Sequence, residues 1–267
     1  MIKWRTIDRK RVKHIRSSQR MLAAQFAKIR KQLSDAMAGY SDPSSLQNVV
    51  DNFYIDQDVL TEAYRNIYTS TGLDFAKFNY KQFKGRQSQY EKKDYNDDYR
   101  QSVWISKLLE YVRSDCGTLI QQSTRNMYQG IRKNAQKAIA LAANEGWGAD
   151  RTANEIIKLQ GQMDNFRAMR IARTEVMRAS NEGAMIGAGE LDIQLKKVWI
   201  STEDGRTRTY ADGDFDHSIM NGVSVEMNEP FDVSGENMDY PGDPNGSEGN
   251  TINCRCAVAF EPKESLL

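Results

Sequence analysis

The chain has 267 residues, of which 39% are apolar and 27% charged, and a mean hydropathy of -0.69. That length allows a substantial hydrophobic core in one large or two small domains. No apolar run approaches the ~20 residues needed to span a bilayer, and basic residues interrupt the N-terminus where a secretion signal needs an apolar stretch. We therefore expect a reducing compartment, in which the three cysteines are free thiols or metal ligands.

The net charge of +1 conceals two regions of opposite sign. Residues 1–33 contain eleven Lys and Arg against the single acid Asp8, whereas residues 201–250 contain twelve Asp and Glu against Arg206 and Arg208. The two regions should face different partners. A basic helix is often only a solvated surface, and the alternative is contact with phosphates or with a partner protein. The candidate residues for contact with DNA or a protein partner are Arg9, Lys10, Arg11, Lys13, Arg16 and Arg20.

Helical periodicity runs through the first two-thirds of the chain. Residues 7–38 carry apolar side chains at alternating three- and four-residue steps, which predicts one long helix packing on a single partner. Asp42 and Pro43 have the pattern of a cap and a first helical residue, so a second helix is predicted there. More helix is predicted from 103 to about 142 and after Asp150. The apolar row of the first helix is Val12, Ile15, Leu22, Phe26, Ile29 and Leu33, with Gln19 as its one polar member.

The segment Phe75–Arg100 has seven aromatic residues in a strongly charged background, without a clear period. Basic residues interleaved with aromatic ones can stack on single-stranded bases. The same composition is typical of an exposed, partly ordered arm that docks on a protein. Because acidic residues are mixed evenly with the basic ones, we favour the arm.

Arg173 and Glu175 stand close together in sequence and invite a catalytic interpretation. A helix places residues two apart about 200° apart around its axis, so the two side chains lie on different faces. We therefore expect structural ion pairing in this segment rather than a catalytic pair.

From Glu190 onward the apolar pattern changes to a period of two. Strands are predicted at 197–200, 223–226 and 252–260, between loops rich in Gly, Asp, Asn and Pro. The predicted fold class is α+β, with a long, mostly α-helical body followed by a small C-terminal cap with short β-strands. We predict an N-terminal helical arm at 1–100, a helical region at 101–190 and the cap at 191–267.

The cysteines of the cap suggest a metal site. Residues two apart in a strand lie ~6.6–7 Å apart at their Cα atoms, so a disulfide between Cys254 and Cys256 would be strained. Two thiolates at that spacing can meet at a tetrahedral zinc. His217 is the expected third ligand, and Asp204, Asp212 or Asp216 the fourth. The alternative is that both cysteines are small buried core residues.

The C-terminal half of the chain resembles the Mu F-type head morphogenesis family, the minor capsid proteins of tailed bacteriophages. The resemblance covers roughly residues 100–262 and depends on the order and spacing of several short motifs. These are Arg167-Ala168, Ile171-Ala172-Arg173-Thr174-Glu175, Trp199, Asp204-Gly205-Arg206-Thr207-Arg208, His217, Asn221-Gly222, Phe231, Pro241-Gly242-Asp243-Pro244 and Asn253-Cys254-Arg255-Cys256.

The resemblance implies a low-copy head component that is made with the portal and incorporated during procapsid assembly. Many relatives carry a CxxC after the Asp-x-Arg-Thr segment and a His just before the CxC, which would complete a four-ligand metal site. This chain has Arg208 and Tyr210-Ala211 in the first place and Thr251-Ile252 before Asn253, so it departs from both. Some relatives carry a toxin domain after the CxC strand, and with eleven residues following Cys256 we expect none here.

The function expected from these features is that of a structural, non-enzymatic minor capsid protein of a phage head. Its expected partners are the portal protein, other head proteins and packaged DNA, with neither a membrane nor a small-molecule substrate. Zinc is the one cofactor considered, and the expected location is the virion head, reached from the host cytoplasm during assembly. The competing interpretation is a metal-dependent nuclease or hydrolase built on His217, Cys254 and Cys256. A third is a cellular DNA-binding adaptor, which predicts salt-sensitive DNA affinity without any particle.

Overall fold

A computed structural model describes residues 4–84, 97–202 and 204–263. Helices make up most of it, and its short antiparallel strands lie in the C-terminal third, so the predicted α+β class is confirmed. Within these residues, no helix combines the length and the apolar character that crossing a bilayer requires.

Helices account for most of the described chain up to residue 189, and one short helix lies nearer the C-terminus. They are α1 (Trp4–Met37), α2 (Ser45–Asn52), α3 (Asp58–Ile67), α4 (Leu73–Phe83), α5 (Asp97–Ser114), α6 (Gly117–Glu145), α7 (Ala149–Gly189) and the short α8 (Glu248–Thr251), with a π-helical turn at Tyr68–Gly72. The strands are β1 (Leu195–Ile200), β2 (Ser224–Glu226), β3 (Phe231–Val233), β4 (Glu236–Met238) and β5 (Ala257–Pro262).

The chain forms two compact units, each built from separate stretches of sequence. The first consists of Met1–Ser18, Tyr64–Cys116 and Ala172–Leu267, and the second of Gln19–Ala63 and Gly117–Ile171. Both α1 and α7 contribute residues to both units. The division predicted at residues 100 and 190 follows sequence pattern alone and stays a prediction.

The second unit buries the apolar row predicted for the first helix. Four members of that row are 4% exposed or less, namely Leu22, Phe26, Ile29 and Leu33. A polar chain crosses the same unit: Arg30 donates to Asp164 at 2.5 Å, Gln160 donates to the other oxygen of Asp164 at 2.7 Å, and Asn134 donates to Gln160 at 3.0 Å. The buried side chains of Asn134, Gln160 and Asp164 therefore satisfy one another, as burial of polar groups requires.

The aromatic segment that was predicted to be an exposed arm begins as a buried helix. In α4, Phe75, Tyr80 and Phe83 are each at most 5% exposed. Tyr80 meets Trp104 of α5 edge to face, with ring centroids 5.6 Å apart. The interpretation as an arm is therefore wrong for α4, because its aromatic rings fill the core of the first unit. Residues 85–96 of the segment lie outside the described residues.

Two glycines of α7 allow the start of α4 to approach it at backbone distance. A Cβ atom on Gly183 would lie 2.1 Å from the carbonyl oxygen of Gly72, and one on Gly187 would lie 2.2 Å from that of Ala76. These separations are too short for any side chain, so hydrogen atoms at both positions are a condition of this helix contact. This close packing fixes the position of the segment of α7 that contacts the C-terminal module.

The C-terminal module contains a three-stranded sheet in the order β2-β1-β5, which is antiparallel throughout, and a separate β3-β4 hairpin. Within the sheet, Lys197 of β1 lies opposite Val225 and Phe260. The hairpin turns through Ser234 and Gly235, both with positive φ (55° and 86°), as the two-residue turns that match strand twist require.

The strand predicted at 252–260 is shorter than expected. It begins only at Ala257, because residues 248–251 form α8 and Asn253 has a left-handed φ of 57°, which does not fit a strand. Asn is one of the few residues that adopt this conformation at low cost. Cys254 and Cys256 therefore lie on the extended segment that leads into β5.

A buried ion pair on α7 holds the loop that follows β4. Arg178 Nη1 donates to both carboxylate oxygens of Glu175, at 2.8 and 2.9 Å, and its Nε donates to the carbonyl of Gly242 at 2.7 Å. Tyr68 donates to the same carboxylate at 3.0 Å. Arg173 is exposed and is not its partner, so structural ion pairing occurs in this segment as expected, through Arg178.

One turn further along α7, burial raises the pKa of Glu182 to about 7. The negative charges of Asp115, Asp243 and Asp239 also raise the pKa of Glu182, whereas its hydrogen bond with Tyr240 acts in the opposite direction. The Glu182 carboxyl, between α5 and the loop after β4, is therefore about half protonated at neutral pH.

The first prediction concerns the helix contact of α4 with α7. We expect Gly183→Ala and Gly187→Ala each to lower the free energy of unfolding by about 1–3 kcal/mol, because the methyl group must push the helices apart. Gly189→Ala is the matched control, since nothing lies within 4 Å of its added Cβ. Denaturant unfolding measures all three, and equal stability of the three variants would contradict the contact.

The second prediction concerns the pH dependence of stability. Glu182 binds its proton near pH 7 when folded, against 4.5 for an ordinary Glu. Folding therefore gains a contribution that is fully present below about pH 4.5 and is lost as the pH rises from there through about 7. We expect Glu182→Gln to raise the melting temperature at pH 8 by about 2–4 °C relative to the parent, with little change at pH 4.5. The exposed Asp192→Asn, which removes the same charge, should shift neither, and a parallel response of both variants would refute the assignment.

Candidate metal centre

Three side chains that can ligate a metal converge in the C-terminal module. His217 comes from the loop between β1 and β2, and Cys254 and Cys256 come from the segment before β5. All three are buried, and their ligand atoms lie within 4.8 Å of one another. The Nδ1 atom of His217 is 3.5 Å from Cys254 Sγ and 3.6 Å from Cys256 Sγ. The structure thus brings together three of the four sequence-predicted metal residues.

Main-chain contacts bring the histidine loop to the cysteine segment. Arg208 donates to the carbonyls of Asn250 and Ile252 at 2.8 and 3.0 Å, and its own carbonyl accepts a hydrogen bond from the backbone N–H of His217 at 2.9 Å. Arg208 therefore joins α8 and the turn after it to the loop that carries the histidine. Trp199 of β1 packs edge to face on the imidazole, with centroids 5.5 Å apart.

The orientation of the imidazole is set by Asn250. The amide nitrogen of Asn250 donates to the carbonyl of Val233 at 3.2 Å and to Glu236 at 3.0 Å, so its oxygen must face the histidine. That oxygen lies 2.6 Å from His217 Nε2, which consequently carries the proton. In the neutral imidazole, the lone pair of Nδ1 is then directed at the two sulfur atoms. A histidine fixed in this way by an outer amide is typical of metal ligands.

The two thiols differ in acidity. The hydrogen bond from Cys256 lowers the pKa of Cys254 well below the usual value, and His217 adds to that effect. Burial raises the pKa of Cys256. Burial alone would lower the pKa of His217, but the hydrogen bond and charge of Cys254 outweigh it and raise it. The cluster therefore favours one thiolate at Cys254 and a neighbouring thiol.

The spacing of the ligand atoms fits zinc. With bonds of ~2.0–2.1 Å to nitrogen and ~2.3 Å to sulfur, a tetrahedral zinc separates its nitrogen and sulfur ligands by about 3.5–3.6 Å. The two observed nitrogen–sulfur distances, 3.5 and 3.6 Å, match that edge. If zinc binds, His217, Cys254 and Cys256 are its protein ligands, and it would supply a bridge between the histidine loop and the β5 segment.

The fourth ligand predicted from sequence is elsewhere. Asp204 is bound by the guanidinium of its neighbour Arg206 and by the hydroxyl of Thr202, and it is not part of the cluster. Asp216 accepts hydrogen bonds from the backbone and hydroxyl of Ser218. The ligand atoms instead border a cavity of about 250 Å³, which Asp212 also lines. A fourth position is therefore open to water or to another small ligand.

Arg11 lies inside the module, although it was predicted to contact DNA or a partner protein. Its side chain is 3% exposed. It donates to Ser180 Oγ at 2.6 Å, to Asn181 Oδ1 at 2.7 Å, and to the carbonyls of Arg255 and Cys256 at 3.1 and 3.0 Å. That prediction is corrected for Arg11, because four acceptors enclose its guanidinium.

The other basic residues singled out on α1 lie at its surface. Lys10 is half-buried, bonds Asp74 at 2.6 Å and lies 5.5 Å from the ring centroid of Phe75, so α4 already engages it. The remaining four, which are exposed or half-buried, are Arg9, Lys13, Arg16 and Arg20.

Sequence reasoning missed Asn250 and the internal role of Arg11. Asn250 carried no signal of its own, since an Asn in a Gly-rich loop is ordinary turn chemistry. Arg11 belongs to a run of basic residues. In the sequence, only its place on the same side of the helix as Trp4 and Asp8 distinguishes it from the others.

Together these features define a small antiparallel module, held on long helices and carrying a three-ligand Cys–His centre. Residues 133–259 match the sequence model of the family described as "Phage Mu protein F like protein". Nearly half of the chain thus matches this family, so the family resemblance is confirmed, and the match supports a part in phage head morphogenesis.

A second comparison concerns a larger protein. The chain is 34% identical over 158 residues to "NAD(+)--arginine ADP-ribosyltransferase EFV" of Enterococcus faecalis (strain ATCC 700802 / V583). The match covers 58% of this chain and 28% of that protein's length. No solved structure matches the chain significantly.

The third prediction tests the metal centre. We expect the chain, purified without chelator, to hold one zinc ion, and Cys256→Ser or His217→Ala to lose it. Zinc at about 100 times its dissociation constant should add about 2.7 kcal/mol to the free energy of unfolding. Cys116→Ser is the control, because Cys116 is buried outside the cluster. Metal analysis and thermal unfolding with and without chelator give the readouts. An apo chain that ignores added zinc would exclude the site.

Proposed function

We propose that this chain is a minor capsid protein of a tailed bacteriophage, a structural component that associates with the portal and with packaged DNA during head assembly. The family supports the phage and head-morphogenesis part of this proposal. We place the protein in the virion head, after assembly in the host cytoplasm. The same proposal makes it non-enzymatic.

The observation that supports contact with partners is that the basic residues of α1 lie on two different sides of the helix. Arg11 points inward and anchors the helix to the C-terminal module, while Arg9, Lys13, Arg16 and Arg20 stand at accessible positions of the same helix. These four exposed basic residues therefore lie on a helix that Arg11 holds in place. Such a surface attracts phosphates and acidic protein surfaces over several ångströms.

We assign zinc, at His217, Cys254 and Cys256, a structural part in this function. It would cross-link the histidine loop to the segment before β5, at a place where the described chain has no disulfide. Support comes from the ligand spacing and from the outer contact of Asn250, as given above.

The alternative of a metal-dependent nuclease or hydrolase has one supporting feature, the cavity beside the cluster. Against it, Asp204 is engaged by Arg206, and the other histidine, His14, bonds Asp74 of α4 at 2.9 Å. A divalent-metal nuclease assay on the parent and on His217→Ala separates the two functions. Cleavage that depends on His217 would favour the enzyme.

The fourth prediction tests the basic face. We expect a chain with Arg9, Lys13, Arg16 and Arg20 all changed to Gln to enter particles about ten-fold less well than the parent, because it loses four positive charges from one helix. The ratio of this protein to portal in purified particles, by quantitative mass spectrometry, is the measurement. Lys133 and Lys137 lie on α6, and their replacement by Gln is the control. Normal incorporation of the α1 variant would contradict the assignment.

A further inference from the structure

Arg255, in the segment before β5, is a positively charged residue without an ion-pair partner within the described residues. Arg255 is half-buried, and within the described residues its guanidinium makes neither a hydrogen bond nor an ion pair. Two further arginines from separate elements, Arg173 and Arg206, each line a hollow together with Arg255.

The three arginines border two adjoining hollows in the first unit. Arg173 of α7 and Arg255 line a narrow crevice together with Asp8 of α1. Arg206, Arg208 and Arg255 line the 250 Å³ cavity beside the metal centre. Arg255 therefore stands between them and joins them into one surface.

The N-terminal end of α1 adjoins the same surface. Trp4 Nε1 donates to the carbonyl of Arg255 at 3.1 Å, and the guanidinium of Arg206 lies over the Trp4 ring, 5.4 Å from its centroid. Arg5 and Arg9 directly follow Trp4 and Asp8, about 100° further round the helix, and both are exposed. They extend the positive surface along α1.

The balance of charge on this surface is positive. Five arginines contribute to it, namely Arg5, Arg9, Arg173, Arg206 and Arg255. Of the carboxylates at the two hollows, Asp8 lines the crevice and Asp212 the cavity, while Asp204 is already bound to Arg206. Holding these cations together costs free energy that an anion would recover.

We propose that this surface, the arginine face, binds the phosphate backbone of duplex DNA. The inference rests on the function proposed above and names the partner of the N-terminal part of α1. Every cation in the set is an arginine, whose planar fork suits bidentate contact with phosphate oxygens. From Arg5 to Arg9, α1 rises about 6 Å, a length over which one DNA strand carries about two phosphates.

A protein partner fits the arginine face less well. Protein interfaces centre on buried apolar and aromatic side chains. The exposed large hydrophobic residues of the described chain include none from α1 or from residues 253–256. The arginine face therefore offers positive charge and hydrogen-bond donors rather than an apolar anchor.

The fifth prediction tests the arginine face with the double variant Arg173→Gln/Arg255→Gln. Binding to a 30-base-pair duplex of arbitrary sequence is measured by fluorescence anisotropy from 50 to 300 mM salt. Loss of two phosphate contacts should reduce the slope of log affinity against log salt by about 1.8. Affinity at the lowest salt should drop ten-fold or more. Circular dichroism and the zinc content of the variant establish that the module is folded.

The matched control is Lys133→Gln/Lys137→Gln, which removes the same charge from α6. A double arginine variant that binds DNA like this control overturns the inference. So does a parent chain that enters particles with the portal yet has no DNA affinity, in which case the proposed function survives with a protein partner. If the Arg9, Lys13, Arg16 and Arg20 variant also enters particles normally, the proposed role of the basic helix fails independently.

Discussion

The buried guanidinium of Arg11 is the contact on which the C-terminal module depends. It satisfies two side chains of α7 and two carbonyls beside the cysteines, and so joins three elements that are far apart in sequence. Burial lowers its pKa to about 10, while the sulfur atoms of Cys254 and Cys256 act in the opposite direction. A buried charge with this many partners costs several kcal/mol when one partner is removed, so its value is in specifying one arrangement.

That arrangement places the metal ligands. The carbonyl of Cys256 is held by Arg11, the backbone N–H of Asn253 donates to Thr174 of α7 at 3.2 Å, and the left-handed turn at Asn253 reverses the chain between them. The cysteines are thereby fixed from the helix side, and His217 is fixed from the opposite side by Asn250 and Trp199. A metal ion bound here would therefore meet three protein ligands that are already held in place.

The features that could be predicted from the sequence are those whose pattern lies within a short stretch of the chain. The first helix was predictable because its apolar residues repeat at a helical period, and His217 was predictable because the chain has only two histidines and one lies in the loop region near the cysteines. The burial of α4 was not, since its charged residues obscure the period of its aromatic ones. Arg11 was mistaken for a surface residue because its acceptors, Ser180 and the carbonyl of Cys256, are set by tertiary folding. The arginine face has the same origin, as its members come from four separate stretches.

The pairing of Arg11 with carbonyls 244 and 245 positions later has a consequence for biosynthesis. At 5–20 residues per second, a ribosome needs roughly 12–50 seconds to make the intervening polypeptide. During that interval the guanidinium has no native acceptor from the cysteine segment, and the nascent N-terminal helix remains a highly positive, incompletely folded end. The enclosure of the Arg11 guanidinium is therefore completed only after the cysteine segment has been synthesised.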